Sequence, residues 1–227
     1  MIKTNQEETK HFRLKCFVSK YITKERKIKM KEFILASKNQ NKAREIQEIL
    51  GEGYTVITQT QAGAGDIDVI EDGVTFEENA IKKAETVMKA LNRPVIADDS
   101  GLCVDALGGE PGVYTARYAG ENATDSENIT KLLTAMDGVS FDKRDAKFVC
   151  VIAIAYPNKE TVTFRGECEG KIALKPMGES GFGYDPIFYV ERFDATMAQI
   201  DSHIKNAISH RFAALSKMVE YLKKSED

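Results

Sequence analysis

No apolar stretch approaches the roughly 18 residues that a bilayer-spanning helix needs, so no membrane partner is expected. No CxxC pair occurs either. The four cysteines, Cys16, Cys103, Cys150 and Cys168, lie far apart, which excludes zinc-ligand spacing and a compact secreted disulfide framework. A reducing cytoplasm is the expected compartment, and Cys103 and Cys150, set in apolar runs, read as small buried hydrophobes. There is no Walker loop (GxxxxGK followed by Ser or Thr), and no GxGxxG leads from a strand into a helix. The basic N-terminus lacks the apolar h-region of a secretory signal, and Glu7, Glu8 and Glu25 interrupt it as a transit peptide. Charge of one sign is also missing. A net charge of −3 argues against a surface that tracks nucleic acid, and no stable nucleic-acid partner is expected.

What is present suits one ordinary soluble domain: 227 residues, 42% hydrophobic and 30% charged. The charge is unevenly placed. Residues 1–29 hold nine Lys or Arg and three Glu, a balance of +6, which leaves −9 for the remainder. This basic head reads as an optional extension, with translation beginning at Met30, or as an arm for nucleic acid or anionic lipid. The domain itself is expected over residues 30–227.

From Met30 the pattern becomes regular. Phe33 to Ala36 is a short apolar run that predicts a buried strand, followed by a polar turn over Ser37 to Asn41. Ala43, Ile46, Ile49 and Leu50 give one helix face, with Gly51 as its stop. Tyr54 to Ile57 predicts a second strand, and residues 58–74 a polar loop. Thr75 to Glu78 and Thr124 to Glu127 form capping boxes that open two amphipathic helices. Pro94 to Ala97 predicts a strand ending at Asp98-Asp99-Ser100-Gly101. Phe148 to Tyr156 reads as a central strand, Thr161 to Cys168 as its hairpin partner, and Ile208 to Leu222 as a last helix. The order predicts a mixed α/β domain with one antiparallel element.

Three polar clusters stand out. Ser37-Lys38-Asn39-Gln40-Asn41-Lys42 lies between a strand and a helix N-terminus, where free amides and the helix dipole favour anions. An ordinary polar turn with an N-cap remains the alternative. Asp98 and Asp99 are adjacent carboxylates that repel unless a positive group sits between them. A hard divalent cation is the natural partner, an Asx-type turn the bland one. Side-chain alternation sends the two Asp in different directions, and Glu71 is a further candidate carboxylate. The third cluster is split between Gly181-Phe182-Gly183-Tyr184-Asp185-Pro186 and Lys205 through Ser209-His210-Arg211. Glycines around two aromatics let a flat ligand stack. Asp185 can accept from a purine N1–H or amine, and Arg211 can donate to an O6 keto oxygen. A solvated helix face is the alternative for His210 and Arg211.

Together these segments resemble the inosine triphosphate pyrophosphatase family, the XTP/dITP diphosphatases. The matching stretches are ILASKNQNKAREI, EDGVTFEENAIKKA, IADDSGLCVDALGGEPGVYTARYAG, GFGYDPIF and IKNAISHR, in the family's order over about residues 33–215. The resemblance implies an elongated mixed sheet flanked by helices, two lobes around a nucleotide cleft, and a homodimer. It implies that Ser37, Lys38, Asn39, Gln40, Asn41 and Lys42 hold the triphosphate, and that Glu71 and Asp99 hold Mg2+. Asp99 would also be the catalytic proton acceptor, with Ser100, Phe182, Gly183, Tyr184, Asp185, Lys205, His210 and Arg211 on the substrate. The substrates implied are ITP, dITP and XTP, cut to monophosphate and pyrophosphate.

Departures from the family pattern are Phe212 after the SHR triplet, a bulkier neighbour for the base pocket, His203 in place of a Glu, and Thr115 in place of a Ser. The head lies outside the pattern. A pyrophosphatase for modified pyrimidines would share the phosphate chemistry but not GFGYDP and SHR. A non-catalytic nucleotide-binding module would not need the acidic pair.

Overall fold

Residues 31–224 are described by the computed structural model, so the basic head over 1–29 and its boundary at Met30 lie outside the described residues. β1 (Lys31–Leu35) and β2 (Tyr54–Thr58) pair in parallel, Phe33 opposite Val56, with α1 (Gln40–Leu50) as the connection. Asn39 caps α1 by accepting from the Asn41 and Lys42 amides, and Gly51, at φ +69°, ends it in a conformation that glycine takes without a Cβ penalty. α2 (Phe76–Leu91) starts at Thr75, whose side chain accepts from Glu78 N. The expected box is offset there, because the Glu78 carboxylate returns to Val74 N. At α3 (Asp125–Ala135) the box between Thr124 and Glu127 is complete.

The sheet continues with β3 (Val95–Val104), β4 (Asp145–Ala155), β5 (Val162–Ile172), β6 (Phe188–Val190) and β7 (Ala195–Thr196). Its order is β2-β1-β3-β4-β5-β6-β7. The mixed α/β class holds, but four pairings rather than one are antiparallel, from β3·β4 through β6·β7. The chain ends in α4 (Ser202–Ile208) and α5 (His210–Lys224), so the expected last helix is broken at Ser209.

The sequence reading of a strand that ends at Asp98 needs correction. β3 runs straight through Asp98-Asp99-Ser100-Gly101, with Asp98 opposite Ile152 and Asp99 opposite Val151 on β4. What stops is β1, whose ladder with β3 ends at the Leu35–Ile96 pair, beyond which Ala36 N still bonds Ile96 O at 2.8 Å. The acidic pair therefore sits where β3 loses its parallel neighbour and keeps its antiparallel one. A long ladder to β4 outweighs the weak strand preference of Asp and Gly.

Period-2 alternation then assigns the faces. Val95 and Ala97 pack with Ala80, Ala84 and Val87 of α2. Ile96 packs on the opposite face with Ile46 of α1 and Ala214, Leu215 and Met218 of α5. Beyond the acidic pair, Leu102 and Val104 enter a separate core with Ile129 and Leu132 of α3, Phe148 and Phe188. Two lobes result, joined by β3 and β4.

α5 lies directly on β5 because residue 166 is glycine. A Cβ there would overlap the His210 carbonyl oxygen and the Ala214 amide, both backbone atoms. Gly166→Ala is expected to destabilise the protein by about 1–3 kcal/mol through overpacking. At a few degrees per kcal/mol for a chain of this size, a thermal melt resolves it. An unchanged melting temperature would show that α5 can shift at no cost.

Candidate active site

Asp98 and Asp99 point to opposite faces of β3, as the alternation requires, and meet opposite surroundings. Asp98 faces α1 and α5 and is 1% exposed. Its Oδ1 meets Lys42 Nζ at 2.5 Å and accepts from Ser100 Oγ at 3.0 Å. Its Oδ2 accepts from Arg211 Nε at 2.8 Å and from the Cys150 thiol at 3.2 Å. Burial pushes this carboxyl up, but Arg211 and Lys42 outweigh it and hold Asp98 well below the usual carboxylate range. Asp98 is thus a fixed anion that organises its neighbours.

Arg211 is itself 1% exposed, and its Nη1 donates to Glu45 Oε2 at 2.8 Å. Nη2 reaches Asp98 Oδ1 and Ser100 Oγ at 3.4 Å each. The sequence offers this guanidinium as a donor to a base, yet in the structure all three of its nitrogens face Asp98, Glu45 or Ser100. Buried carboxylates need such a partner more than a transient ligand does.

Asp99, on the α2 face, meets Lys83 Nζ at 2.6 Å. Lys83 also reaches Glu71 Oε2 at 3.2 Å and donates to the Asp98 carbonyl at 2.9 Å. Burial pulls the lysine down, but Asp99 and Glu71 outweigh it, so it stays charged. Burial raises Asp99 to about 6 even beside this ammonium. Glu71 is pushed up by burial too, but Lys83 and a hydrogen bond with Asp99 bring it below the ordinary glutamate value. Two carboxylates thus share one ammonium, and burial keeps one of them protonated to about 6. A pair of carboxylates on one wall of the cleft suits a hard cation with oxygen ligands. Among the described residues no group of three or more His, Cys, Asp or Glu is gathered. Glu71 and Asp99 are the residues that could hold such a cation, whose remaining ligands would be water and phosphate oxygens.

This charged arm of the cleft encloses about 340 Å³, walled by Ser37, Lys38, Lys42, Glu71, Asp99 and Arg117 among others. It shares Asn39, Lys42, Ser100, Thr115 and Ala116 with a smaller arm of about 170 Å³. The walls of the smaller arm include Phe148, Phe182, Tyr184 and His210. Here the loop after Gly181 is braced internally. Asp185 Oδ2 accepts from Phe182 N at 2.9 Å and from Lys205 Nζ at 2.7 Å. The same ammonium lies 4.9 Å from the Phe182 ring centroid. Tyr184 OH donates to Thr115 O at 2.9 Å, and Gly183 N to Asp125 at 2.7 Å. His210 stacks on Phe148 with ring centroids 4.9 Å apart and planes at 17°. Burial and the neighbouring Arg211 hold this imidazole well below its usual pKa, so it is neutral. Its Nδ1 is buried and has no hydrogen-bond partner. The ring as a whole walls the smaller arm beside Phe148, Phe182 and Tyr184.

A family model described as the Ham1 family matches residues 33–221, the stretch that supplies every group above. The chain belongs to the Ham1 family. Among curated relatives, the dITP/XTP pyrophosphatase of Bacillus subtilis (strain 168) is 52% identical over 194 residues, 85% of this chain and 98% of that one. The protein of the same name from Shouchella clausii (strain KSM-K16) is 50% identical over 192 residues, 84% of this chain and 96% of its own. Among solved structures, the Staphylococcus aureus Ham1 protein superposes with a TM-score of 0.78 at 50% identity, covering 86% of this chain and 100% of that one. A HAM1 protein from Coxiella burnetii gives 0.77 at 45% identity, with 86% and 100% covered. These matches bear out the resemblance read from the sequence, and with it the open mixed sheet flanked by helices. No helix among the described residues is long and apolar enough to cross a membrane.

This Ham1-family fold brings most of the expected residues into one cleft. Ser37, Lys38, Asn39, Lys42, Glu71, Asp99 and Ser100 wall the charged arm. Phe182, Gly183, Tyr184, Asp185, Lys205, His210 and Arg211 wall the aromatic one. Gln40 is exposed and lies in neither, and the Asn41 side chain accepts from Arg44 Nη2 at 3.2 Å, both residues walling a neighbouring cavity that Phe182 and Lys205 also line. The expected cradle of free amides is reduced too, because Asn39 already satisfies Asn41 N and Lys42 N. Phe212, expected beside the base pocket, is 39% exposed and does not wall it. Thr115 accepts from Leu102 N at 3.1 Å through a hydroxyl that serine also carries.

Sequence reasoning passed over Lys83, Glu45 and Asp125. Lys83 left a trace: it lies on the buried stripe of α2 with Ala80, Ala84 and Val87, where a lysine is out of place unless paired.

Proposed function

We propose that the chain hydrolyses the non-standard purine nucleoside triphosphates ITP, dITP and XTP to the monophosphate and pyrophosphate, with Mg2+ as cofactor, so cleansing the nucleotide pool. The observation that carries this reading is the continuity of the two arms. A charged arm in which two carboxylates share one ammonium opens into an aromatic arm walled in part by a neutral imidazole. The curated relatives named dITP/XTP pyrophosphatase support the substrate class.

In this reading Ser37, Lys38 and Lys42 bind the phosphates, and Glu71 and Asp99 hold the metal. When bound, magnesium supplies charge neutralisation and Lewis acidity. Asp99 accepts a proton from the water that attacks the α-phosphorus, and Lys83 keeps its carboxylate aimed into the arm. Pyrophosphate leaves against Lys42. Phe182 and Tyr184 provide the flat walls for the base. His210, which walls this arm, donates a ring N–H to the 6-keto oxygen of hypoxanthine or xanthine, whereas the 6-amino group of adenine opposes a donor to a donor. A mismatch of that kind is rejected by about 10⁴-fold where the site is buried. Arg211 acts behind this contact, through Asp98 and Ser100. A homodimer and a cytoplasmic setting complete the proposal.

Pyrophosphate release from ITP, dITP, XTP, GTP and ATP, each with and without magnesium, tests the reading. Turnover of the first three that depends on magnesium is the expected result. ATP cut as fast as ITP would remove the base assignment, and a pyrimidine preference would favour the rival pyrophosphatase. Binding without any turnover would leave a nucleotide-binding module.

A further inference from the structure

We propose that Arg117 is the positioning residue that sets Glu71 in the charged arm, an inference that rests on Glu71 and Asp99 being the metal ligands. Residues 67–73 belong to no helix or strand, and among the described residues no backbone–backbone hydrogen bond holds 68–74. At the near end the Gln59 amide holds the Ile67 carbonyl at 2.8 Å. At the far end Asn79 accepts from Gly73 N at 2.8 Å, and Glu78 from Val74 N at the same distance. Lys38 and Lys82 pair with Asp68 and Asp72, but both pairs are exposed and grip side chains, not the main chain. Ile70 and Val74 beside Glu71 are about three-quarters exposed and anchor nothing. Among the described residues, the side-chain hydrogen bond that reaches the main chain of 68–72 from outside the segment runs from Arg117 Nη2 to Glu71 O at 2.9 Å.

The guanidinium that makes it stands on firm ground. It lies 5.2 Å from the Tyr114 ring centroid, with Glu121 at 3.9 Å. Its segment, Gly112–Arg117, is fastened to three separate elements. Leu102 N of β3 bonds Thr115 Oγ at 3.1 Å, Tyr184 OH bonds Thr115 O at 2.9 Å, and Asn128 Nδ2 of α3 bonds Ala116 O at 3.1 Å. A firmly tied arginine therefore reaches across to an otherwise loose loop and grips it at the residue whose carboxylate faces Lys83 and Asp99. Fixing a ligand residue before the cation arrives removes the ordering cost from binding. Groups that orient a metal ligand in this way are typically worth about 10–100-fold in affinity.

The test measures Mn2+ affinity of the full chain by water-proton relaxation, without nucleotide, for Arg117→Gln, Arg117→Lys, Glu71→Gln and Glu121→Gln. Arg117→Gln should weaken Mn2+ by about tenfold or more. Its metal-free melting temperature should stay close to that of the parent, because Arg117 is partly exposed. Arg117→Lys should recover part of the affinity, and Glu121→Gln all of it. In ITP turnover the Arg117→Gln deficit should lie in kcat, with KM for ITP unchanged, and should close as magnesium is raised. Parental Mn2+ affinity in Arg117→Gln, alongside weakened affinity in Glu71→Gln, would overturn the positioning role alone. Parental affinity in Glu71→Gln would overturn the metal assignment beneath it. Lost affinity that accompanies a collapse of metal-free stability would make Arg117 a general structural residue and would also overturn the proposal.

Discussion

Asp99→Asn is expected to lower kcat on ITP by roughly 10²–10⁴-fold, because the proposed proton acceptor and one of the two proposed metal-ligand carboxylates vanish together. The fold should survive, since an asparagine oxygen can still accept from Lys83, and Glu71 remains to balance the ammonium. Stability supplies a second readout. The folded-state pKa of Asp99 is raised to about 6, above the ordinary aspartate value of 3.8. A group shifted in that direction favours the folded state fully below its unfolded pKa, and that favour is lost as pH rises through the folded one. Relative to Asp99→Asn, the metal-free parent should therefore lose on the order of 2 kcal/mol between pH 4 and pH 7. Urea titrations of both proteins at the two pH values, with chelator present, measure the difference. An inactive variant that gains in relative stability toward neutral pH would show that this carboxylate is kept at the expense of the fold. A kcat within a few-fold of the parent would remove Asp99 from the chemistry.

The second large effect falls on the opposite face of β3. Arg211→Ala is expected to cost about 3–5 kcal/mol, because it strands one buried carboxylate and takes one of two cations from another. Asp98 would keep Lys42, but the Glu45 carboxylate would lose Arg211 while its Oε1 already has no hydrogen-bond partner. Arg211→Lys keeps the charge without the planar fork that serves Asp98 and Glu45 at once, so an intermediate loss is expected. Acid gives a further handle. Asp98 is held well below 3.8, so its contribution is fully present above that pH and drains away as pH falls below it. Removing Arg211 should flatten this acid limb of the stability curve. Should Arg211→Ala fail to accumulate, Arg211→Lys carries the measurement. Full stability in Arg211→Lys would mean that the fork geometry contributes nothing.

Much of the scaffold was legible because its signals are local. Apolar runs, capping residues and glycine stops identify β1, α1, β2, α2 and α3 close to their observed limits. β6 and β7, three and two residues long, carry too little pattern to be read. The persistence of β3 through Asp-Asp-Ser-Gly was invisible for another reason: it is decided by a ladder to residues about fifty positions away. The site divides in the same way. Residue types at each cluster point to anions, cations and flat ligands, but which donor is already spent is a matter of distant pairing. Arg211 meets Glu45 across 166 positions and Asp98 across 113, and no local pattern announces either. Asp185 likewise reads as a base acceptor until Lys205 is seen beside it.

β3 and β4 pass without a break from one lobe into the other, and this fixes the mechanics of the cleft. A protein whose halves hang on a loop can swing about a few soft torsions. Here the halves share a two-stranded ribbon, so any change in cleft width has to be made by twisting or bending hydrogen-bonded strands. Such a change distributes its strain along both strands and has no single pivot. The acidic residues ride on that ribbon, while Lys42, Lys83 and Arg211 ride on helices packed to its two faces. Stiffness in the ribbon is thereby stiffness in the spacing between the carboxylates and their cations.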